Sequence, residues 1–439
     1  MKNKNTGQKL WQKAKKIIPG GSQLLSKRAE MFAPGVWPAY YAKAKGSAVW
    51  DLDGNKYIDM SLMGVGANML GYADRDVDDA VIKQAIQRGS MSTLNVPQEV
   101  ELAELLLKLH PWAGMVRYAR TGGESMAIAA RIARAYTGRD VVAFCGYHGW
   151  ADWYLATNLK QKDALAAHLL GGLEPKGVPK GLRGSIVPFR YNHLEELEAI
   201  IKQHGKLAAI IMEPLHGEEP KKDFLKQVRR LADKAGAVLV FDEITMGFRL
   251  TLGGAHLKYG VMPDMAVFAK GMSNGYPMAA IIGTRKVMEA AQGTFISSTY
   301  WTEAIGPVAA LATIHKMQKK KVQSHLAQLG RKVRTIWKSA SKKHGLPIGM
   351  SGVDPLRFFS FLQPEAQIIK TVFVTEMLER GFLASNLYYA SYAHTDADLK
   401  RYEHALNEVF ALIVKAQKDG TLKKLLKGPV AHTGFQRLN

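Results

Sequence analysis

Apolar and polar positions along this chain change period several times, and each change marks an element. Residues 5–18 repeat apolar positions at helical spacing until Pro19-Gly20-Gly21 stops them, and residues 40–60 alternate as a hairpin does around the Asp53-Gly54 turn. These stretches predict a small N-terminal lobe. From Asp76 the pattern predicts helices over 76–88, 97–109 and 124–136, then a short apolar strand over 141–144. Apolar runs at 207–212, 237–241, 265–269 and 279–283 continue the alternation, with an amphipathic helix over 223–235. Strands without polar positions are buried on both faces, so the expected fold class is α/β with a mostly parallel sheet. A long helical passage over 303–344 follows, then an alternating stretch over 356–362 and helices over 365–380 and 396–418. The expected division is a large domain of residues 76–318, with residues 1–75 and 319–439 joining in a small α+β domain. No internal repeat or low-complexity linker interrupts the pattern.

Composition narrows the picture. At 439 residues the chain exceeds what one hydrophobic core usually organises, and 47% hydrophobic with 22% charged residues is the balance of a folded globular protein. The single cysteine, Cys145, excludes an internal disulfide and a Cys-based zinc cage, as expected of a reducing compartment. The start of the chain is Lys-rich, and no run approaches the roughly 18 apolar residues of a membrane span. A cytoplasmic protein without membrane insertion is therefore expected. Against 38 Asp+Glu stand 60 Lys+Arg, a net charge of +22 that raises nucleic acid as a partner. The basic residues are spread along the chain, however, and the runs Lys319-Lys320-Lys321 and Lys423-Lys424 with Lys427 lack interleaved aromatic platforms. They read as solvated faces, and no nucleic-acid partner is expected. A positive field would still concentrate an anionic cofactor and anionic substrates.

In open α/β sheets functional groups gather at the carboxyl ends of strands. The run 237–241 ends at Asp242-Glu243, and the run 265–269 ends at Lys270-Gly271. Burial lowers a lysine's pKa and makes it an imine-forming amine, while a carboxylate on a neighbouring strand could hold a pyridinium proton. A structural salt bridge between the two is the plainer alternative. Thr121-Gly122-Gly123-Glu124-Ser125 opens a helix, where glycine amides and the helix N-terminus can meet a phosphate, although the same residues make an ordinary N-cap. The cluster from Phe144 through Tyr147, His148 and Trp150 offers aromatic faces to a flat heterocycle, or simply packs under a loop.

At these residues the chain resembles the class III, fold-type I pyridoxal-phosphate aminotransferases, especially the group similar to glutamate-1-semialdehyde aminomutase. The resemblance begins at Ala44-Lys-Gly46 and at Val49-Trp-Asp-Leu-Asp-Gly-Asn-Lys-Tyr-Ile-Asp59. It runs through Thr121-Gly-Gly-Glu124, Tyr147-His148-Gly149, Met212-Glu213-Pro214 and Asp242-Glu-Ile-Thr-Met-Gly-Phe-Arg249, and reaches Ala269-Lys270-Gly271. It implies pyridoxal 5′-phosphate as cofactor, with Lys270 the Schiff-base lysine, Asp242 the ring-nitrogen partner and Tyr147 stacked on the ring. Thr121, Gly122, Gly123 and Ser125 would meet the phosphate, with His148 and Glu213 at the cofactor. Thr299 looks like the family threonine that completes the phosphate site of a second subunit, which implies a homodimer.

The departures bear on the substrate. Thr121-Gly-Gly-Glu124 replaces Ser-Gly-Thr-Glu, so a phosphate-binding hydroxyl is missing at position 123. Met272-Ser-Asn-Gly-Tyr-Pro-Met-Ala279 and Thr299-Tyr-Trp-Thr-Glu303 are bulkier than the aminomutase's segments. These variants resemble enzymes of surface-polysaccharide pathways, which implies a keto or aldehyde sugar, or an octulosonate- or nonulosonate-type sugar acid, aminated from glutamate. Lys27-Arg28 falls where the aminomutase has an arginine for the substrate carboxylate, and is otherwise an exposed charged loop. Two rivals are an aminomutase that needs no separate donor and a non-catalytic basic binding protein on the same fold.

Overall fold

In the computed structural model, which describes residues 4–436 and 438, the first apolar period becomes a helix, Thr6–Ile17, that buries Trp11 and Ala14. The Lys-rich start at Met1 to Asn3 lies outside the described residues, as do Arg437 and Asn439. The stretch 40–60 forms not one hairpin but three antiparallel strands, β1 (Tyr41–Lys45), β2 (Ala48–Asp51) and β3 (Lys56–Asp59). Gly46 adds a second reversal, while the Asp51 carboxylate holds the expected turn by accepting from the Asp53 and Asn55 N–H groups at 2.9 and 2.8 Å. Two compact units result: the chain up to Asp74 together with the chain from Ser324, and Arg75–Gln323.

The second unit carries a seven-stranded sheet from β4 (Met115–Ala119), β5 (Val142–Cys145), β6 (Ile186–Pro188), β7 (Ala209–Met212), β8 (Val238–Asp242), β9 (Met265–Phe268) and β10 (Ala279–Gly283). Their order is β4-β10-β9-β8-β7-β5-β6. The strands from β9 to β6 are parallel, and β10 runs antiparallel to both neighbours. Side chains alternate faces along each strand. Phe144, Ile211, Val240 and Val267 pack with residues of the helix Gly122–Thr137. Ala143, Ile210, Leu239 and Phe241 pack with the helices Leu194–His204 and Phe224–Ala235. Each large apolar side chain so buried contributes about 1.5–3 kcal/mol, which is why the sheet is a rigid platform.

The passage 303–344 is two helices, Ile305–Lys320 and Val322–His344, because Lys321 takes the left-handed φ of 49° and ends the first. The remaining strands belong to the first unit. β11 (Ile348–Val353), β12 (Leu356–Phe361) and β14 (Leu387–Tyr389) form an antiparallel sheet, and β13 (Phe382–Leu383) pairs parallel with β3. The helix Asp396–Lys418 starts from a capping box of Thr395 and Asp398. No helix among the described residues is long and apolar enough to cross a membrane.

Candidate active site

β9, β8, β7 and β5 are neighbours and parallel, so their carboxyl ends open on one edge of the sheet. In that order they present Lys270, Asp242, Glu213 and the turn that carries Tyr147 and His148. Asp242 Oδ1 accepts from the Ile244 N–H at 3.0 Å, and Oδ2 meets His148 Nδ1 at 2.8 Å. Both side chains are buried. Burial pushes the Asp242 carboxyl above its usual range; the bond to His148 opposes this and the Glu213 charge adds to it. His148 Nε2 faces the Cys145 carbonyl at 3.0 Å. A carbonyl only accepts, so Nε2 carries a hydrogen, and the Nδ1–Oδ2 contact then requires Asp242 and His148 to share one further proton.

Lys270 follows β9 with φ at 47°, a left-handed conformation that costs a non-glycine residue about 1 kcal/mol. Its Nζ donates to Thr245 Oγ1 at 3.0 Å. Burial lowers its pKa below the ordinary 10.5, against the charges of Asp242 and Glu213 and with help from Arg249. The amine therefore sheds its proton more readily than a surface lysine.

At Gly146, φ is 105° and an added Cβ would stand 2.4 Å from Glu213 Oε2, so a side chain there would displace the carboxylate. Glu213 Oε2 accepts from the Tyr147 N–H at 3.3 Å and pairs with His216 Nδ1. Burial raises the Glu213 pKa, but His216 outweighs it and the carboxyl sits below its usual range; His216 is raised above 6.5 by the same bond. The Tyr147 ring stands edge-on to Tyr154 at 6.1 Å and is 42% exposed, leaving aromatic surface open.

The helix Gly122–Thr137 begins from a reciprocal capping box of Thr121 and Glu124, with Glu124 Oε2 accepting from Arg120 N at 3.0 Å and Thr121 N at 3.3 Å. First-turn amides such as those of Gly122 and Gly123 have no acceptor within a helix. Buried Ser125 donates its hydroxyl to the Thr121 carbonyl at 2.7 Å, so that proton points into the helix. A Cβ on Gly122 would come within 2.9 Å of Ile244 Cδ1, which sets this turn against the segment that follows Asp242.

Thr299 is exposed in the short turn Thr299–Thr302. Arg120 fastens that turn: Nη2 donates to the Trp301 and Glu303 carbonyls at 2.8 and 3.0 Å, and Nε lies 2.7 Å from Glu303 Oε1. Lys27 and Arg28 belong to the other unit, where Lys27 is exposed and Arg28 donates to the Gln436 carbonyl at 3.2 Å beside the Phe435 ring. Thr245, His216 and Arg120 were not singled out from sequence, although Thr245 lies inside the Asp242 motif and His216 three residues past Glu213.

The class-III aminotransferase family profile matches residues 31–377. The chain belongs to the class-III aminotransferases. This class-III aminotransferase is 34% identical over 419 residues to 3-aminobutyryl-CoA aminotransferase of Cloacimonas acidaminovorans, covering 92% of this chain and 97% of the relative. It is 32% identical to glutamate-1-semialdehyde 2,1-aminomutase of Desulforamulus reducens, over 93% of this chain and 98% of that one. Among solved structures, a β-phenylalanine aminotransferase from Variovorax paradoxus superposes with a TM-score of 0.77 at 25% identity, over 94% of this chain and 95% of that one. Solved structures of the same fold hold pyridoxal phosphate or its pyridoxamine form. The aminotransferase is a fold-type I, pyridoxal-phosphate-dependent enzyme.

Proposed function

We propose that this aminotransferase works from the strand-end row Lys270, Asp242 and Glu213, taking an amino group from glutamate and delivering it to the carbonyl of a small anionic acceptor. The observation that carries the reading is the pairing of a pKa-lowered, strained Lys270 with a buried Asp242–His148 couple on the neighbouring strand end. The residues fit the cofactor: a Cβ on Gly122, Gly123 or Gly146 would press on Ile244, Trp150 or Glu213, so only glycine lets these turns close around the strand ends, and Tyr147 keeps ring surface open. Pyridoxal phosphate, when bound, supplies an aldehyde that captures amines and a ring that accepts electrons.

Lys270 Nζ holds the cofactor at rest, then takes and returns the proton on the amino-bearing carbon, oriented by Thr245 Oγ1. Asp242 would keep a proton on the ring nitrogen, with His148 holding its carboxylate through Oδ2. Tyr147 would hold the ring face and Glu213 would lie beside it. The amides of Gly122 and Gly123, with Thr121 and Ser125, frame the phosphate. Thr299 of a second copy completes that frame, which makes the homodimer the working unit.

For the acceptor, the names of two relatives place the amino group on a carbon β to an acyl group, in 3-aminobutyryl-CoA and in β-phenylalanine. Neither they nor the aminomutase are named for a sugar, so a β-oxo acyl compound, aminated to its β-amino form, replaces the sugar acid as the favoured acceptor. The aminomutase reading keeps the support of a 32% identical relative. Half-reactions decide. Glutamate or a β-amino acid should bleach the absorbance of the loaded enzyme, and Lys270→Ala should abolish turnover. Conversion of glutamate-1-semialdehyde with no donor would favour the mutase, and full activity in Lys270→Ala would end the proposal.

A further inference from the structure

The phosphate cradle contains a substitution and its counterpart. Gly123 lacks the hydroxyl-bearing side chain of the sequences it resembles, and the space beside it is not empty. A Cβ added there would stand 3.1 Å from Trp150 Cδ1, 3.3 Å from Trp150 Nε1 and 3.5 Å from Gly149 Cα. Gly149, at φ 100°, is pressed closer still, since a Cβ on it would lie 2.6 Å from Gly123 Cα. The pyrrole edge of the indole therefore occupies the rim where a residue 123 side chain would project. Trp150 is also 72% exposed, and its Nε1–H donates to no acceptor among the described residues.

We infer that Trp150 is a phosphate-binding residue, its indole N–H donating to the cofactor phosphate in place of the hydroxyl missing at position 123. This rests on the proposed placement of the phosphate at Gly122 and Gly123. An indole nitrogen can only donate, which suits a dianionic acceptor, and a hydrogen bond to a charged group is among the stronger ones a site can offer. Of the other nearby hydroxyls, Ser125 Oγ already donates to the Thr121 carbonyl, and Thr121 Oγ1 is engaged in the capping box of its helix. Trp150 and Gly123 thus act as a matched pair: the glycine makes room for the ring, and the ring restores the donor.

The test compares binding of pyridoxal phosphate and of pyridoxal, which lacks the phosphate, to the cofactor-free full chain by equilibrium dialysis. Trp150→Phe keeps an aromatic ring without the N–H, and should weaken pyridoxal phosphate about tenfold or more while leaving pyridoxal unchanged. Gly123→Thr alone should weaken pyridoxal phosphate, because the threonine collides with the indole. Gly123→Thr combined with Trp150→Gly should recover much of the affinity by returning a hydroxyl to the vacated space. Native affinity in Trp150→Phe, or equal loss for both ligands, would overturn the inference. Failure of the unaltered chain to bind pyridoxal phosphate more tightly than pyridoxal would instead overturn the phosphate site itself.

Discussion

Because the Cys145 carbonyl fixes a hydrogen on His148 Nε2, the imidazole can face Asp242 in one orientation only, and the two side chains act as a unit. Removing His148 leaves Asp242 in its burial with a single backbone donor, which favours the neutral acid. His148→Gln should therefore lower kcat about tenfold to a hundredfold, the range seen when a partner that orients a reacting group is lost, with KM little changed in steady-state assays. The Glu213–His216 pair makes a pH prediction. His216 is raised above 6.5, so its contribution to stability is complete below that value and fades as pH rises through its folded pKa. Glu213 is lowered below 4.5, so its contribution is complete above that value and fades as pH falls through its folded pKa. Thermal melting of His216→Asn should consequently fall below the native protein by about 1–2 °C between the two ordinary values, with the gap closing above and below. A gap that widens as pH rises above 6.5 would contradict the pairing. At this scale Lys270 and Asp242 were legible because each ends an apolar strand. His216 and Thr245 were not, since a polar residue in a loop has no visible meaning until its partner's position is known.

The segments proposed to frame the phosphate depend on contacts that bridge distant parts of the sequence. Glu303 caps the helix Ile305–Lys320 by accepting from Ile305 N and Gly306 N at 2.6 and 2.9 Å, and it meets Arg120 on its other side. Glu303→Ala would strip the helix of its cap and leave a largely buried guanidinium without its counter-charge. The expected loss is about 2–4 kcal/mol, seen as a lower denaturation midpoint, together with weaker retention of the cofactor on dilution. Most elements here were legible. The helix Asp396–Lys418 and strand β10 match their expected bounds, because amphipathic period and unbroken apolar runs each leave one signature. The break at Lys321 was hidden, as lysine carries no turn signal, and the short strands β6 and β13 were too brief to show a period. The stretch 40–60 holds one strand more than a hairpin, because Gly46, at φ 61°, reverses the chain a second time.

For the whole molecule the mixed sheet is the feature local pattern could not supply. β4 and β10 read as apolar runs like the others, yet β10 enters antiparallel between β9 and β4, a choice fixed by packing between segments far apart in sequence. The row of strand ends nevertheless follows from the parallel stretch β9-β8-β7-β5, and it brings Lys270, Asp242, Glu213 and His148 to one edge. The net charge of +22 acts at this scale too. If the acceptor is an anionic acyl compound, kcat/KM should fall severalfold between low ionic strength and about 0.3 M salt, while an uncharged amine donor should show little change. The central claim is that Lys270 at the end of β9 holds the cofactor. Borohydride reduction of the cofactor-loaded enzyme, followed by digestion and peptide mass mapping, tests it most directly. The account predicts a pyridoxyl mass on the peptide bearing Lys270 and on no other lysine. A label on a different lysine, or none from enzyme that retains its cofactor, would contradict it.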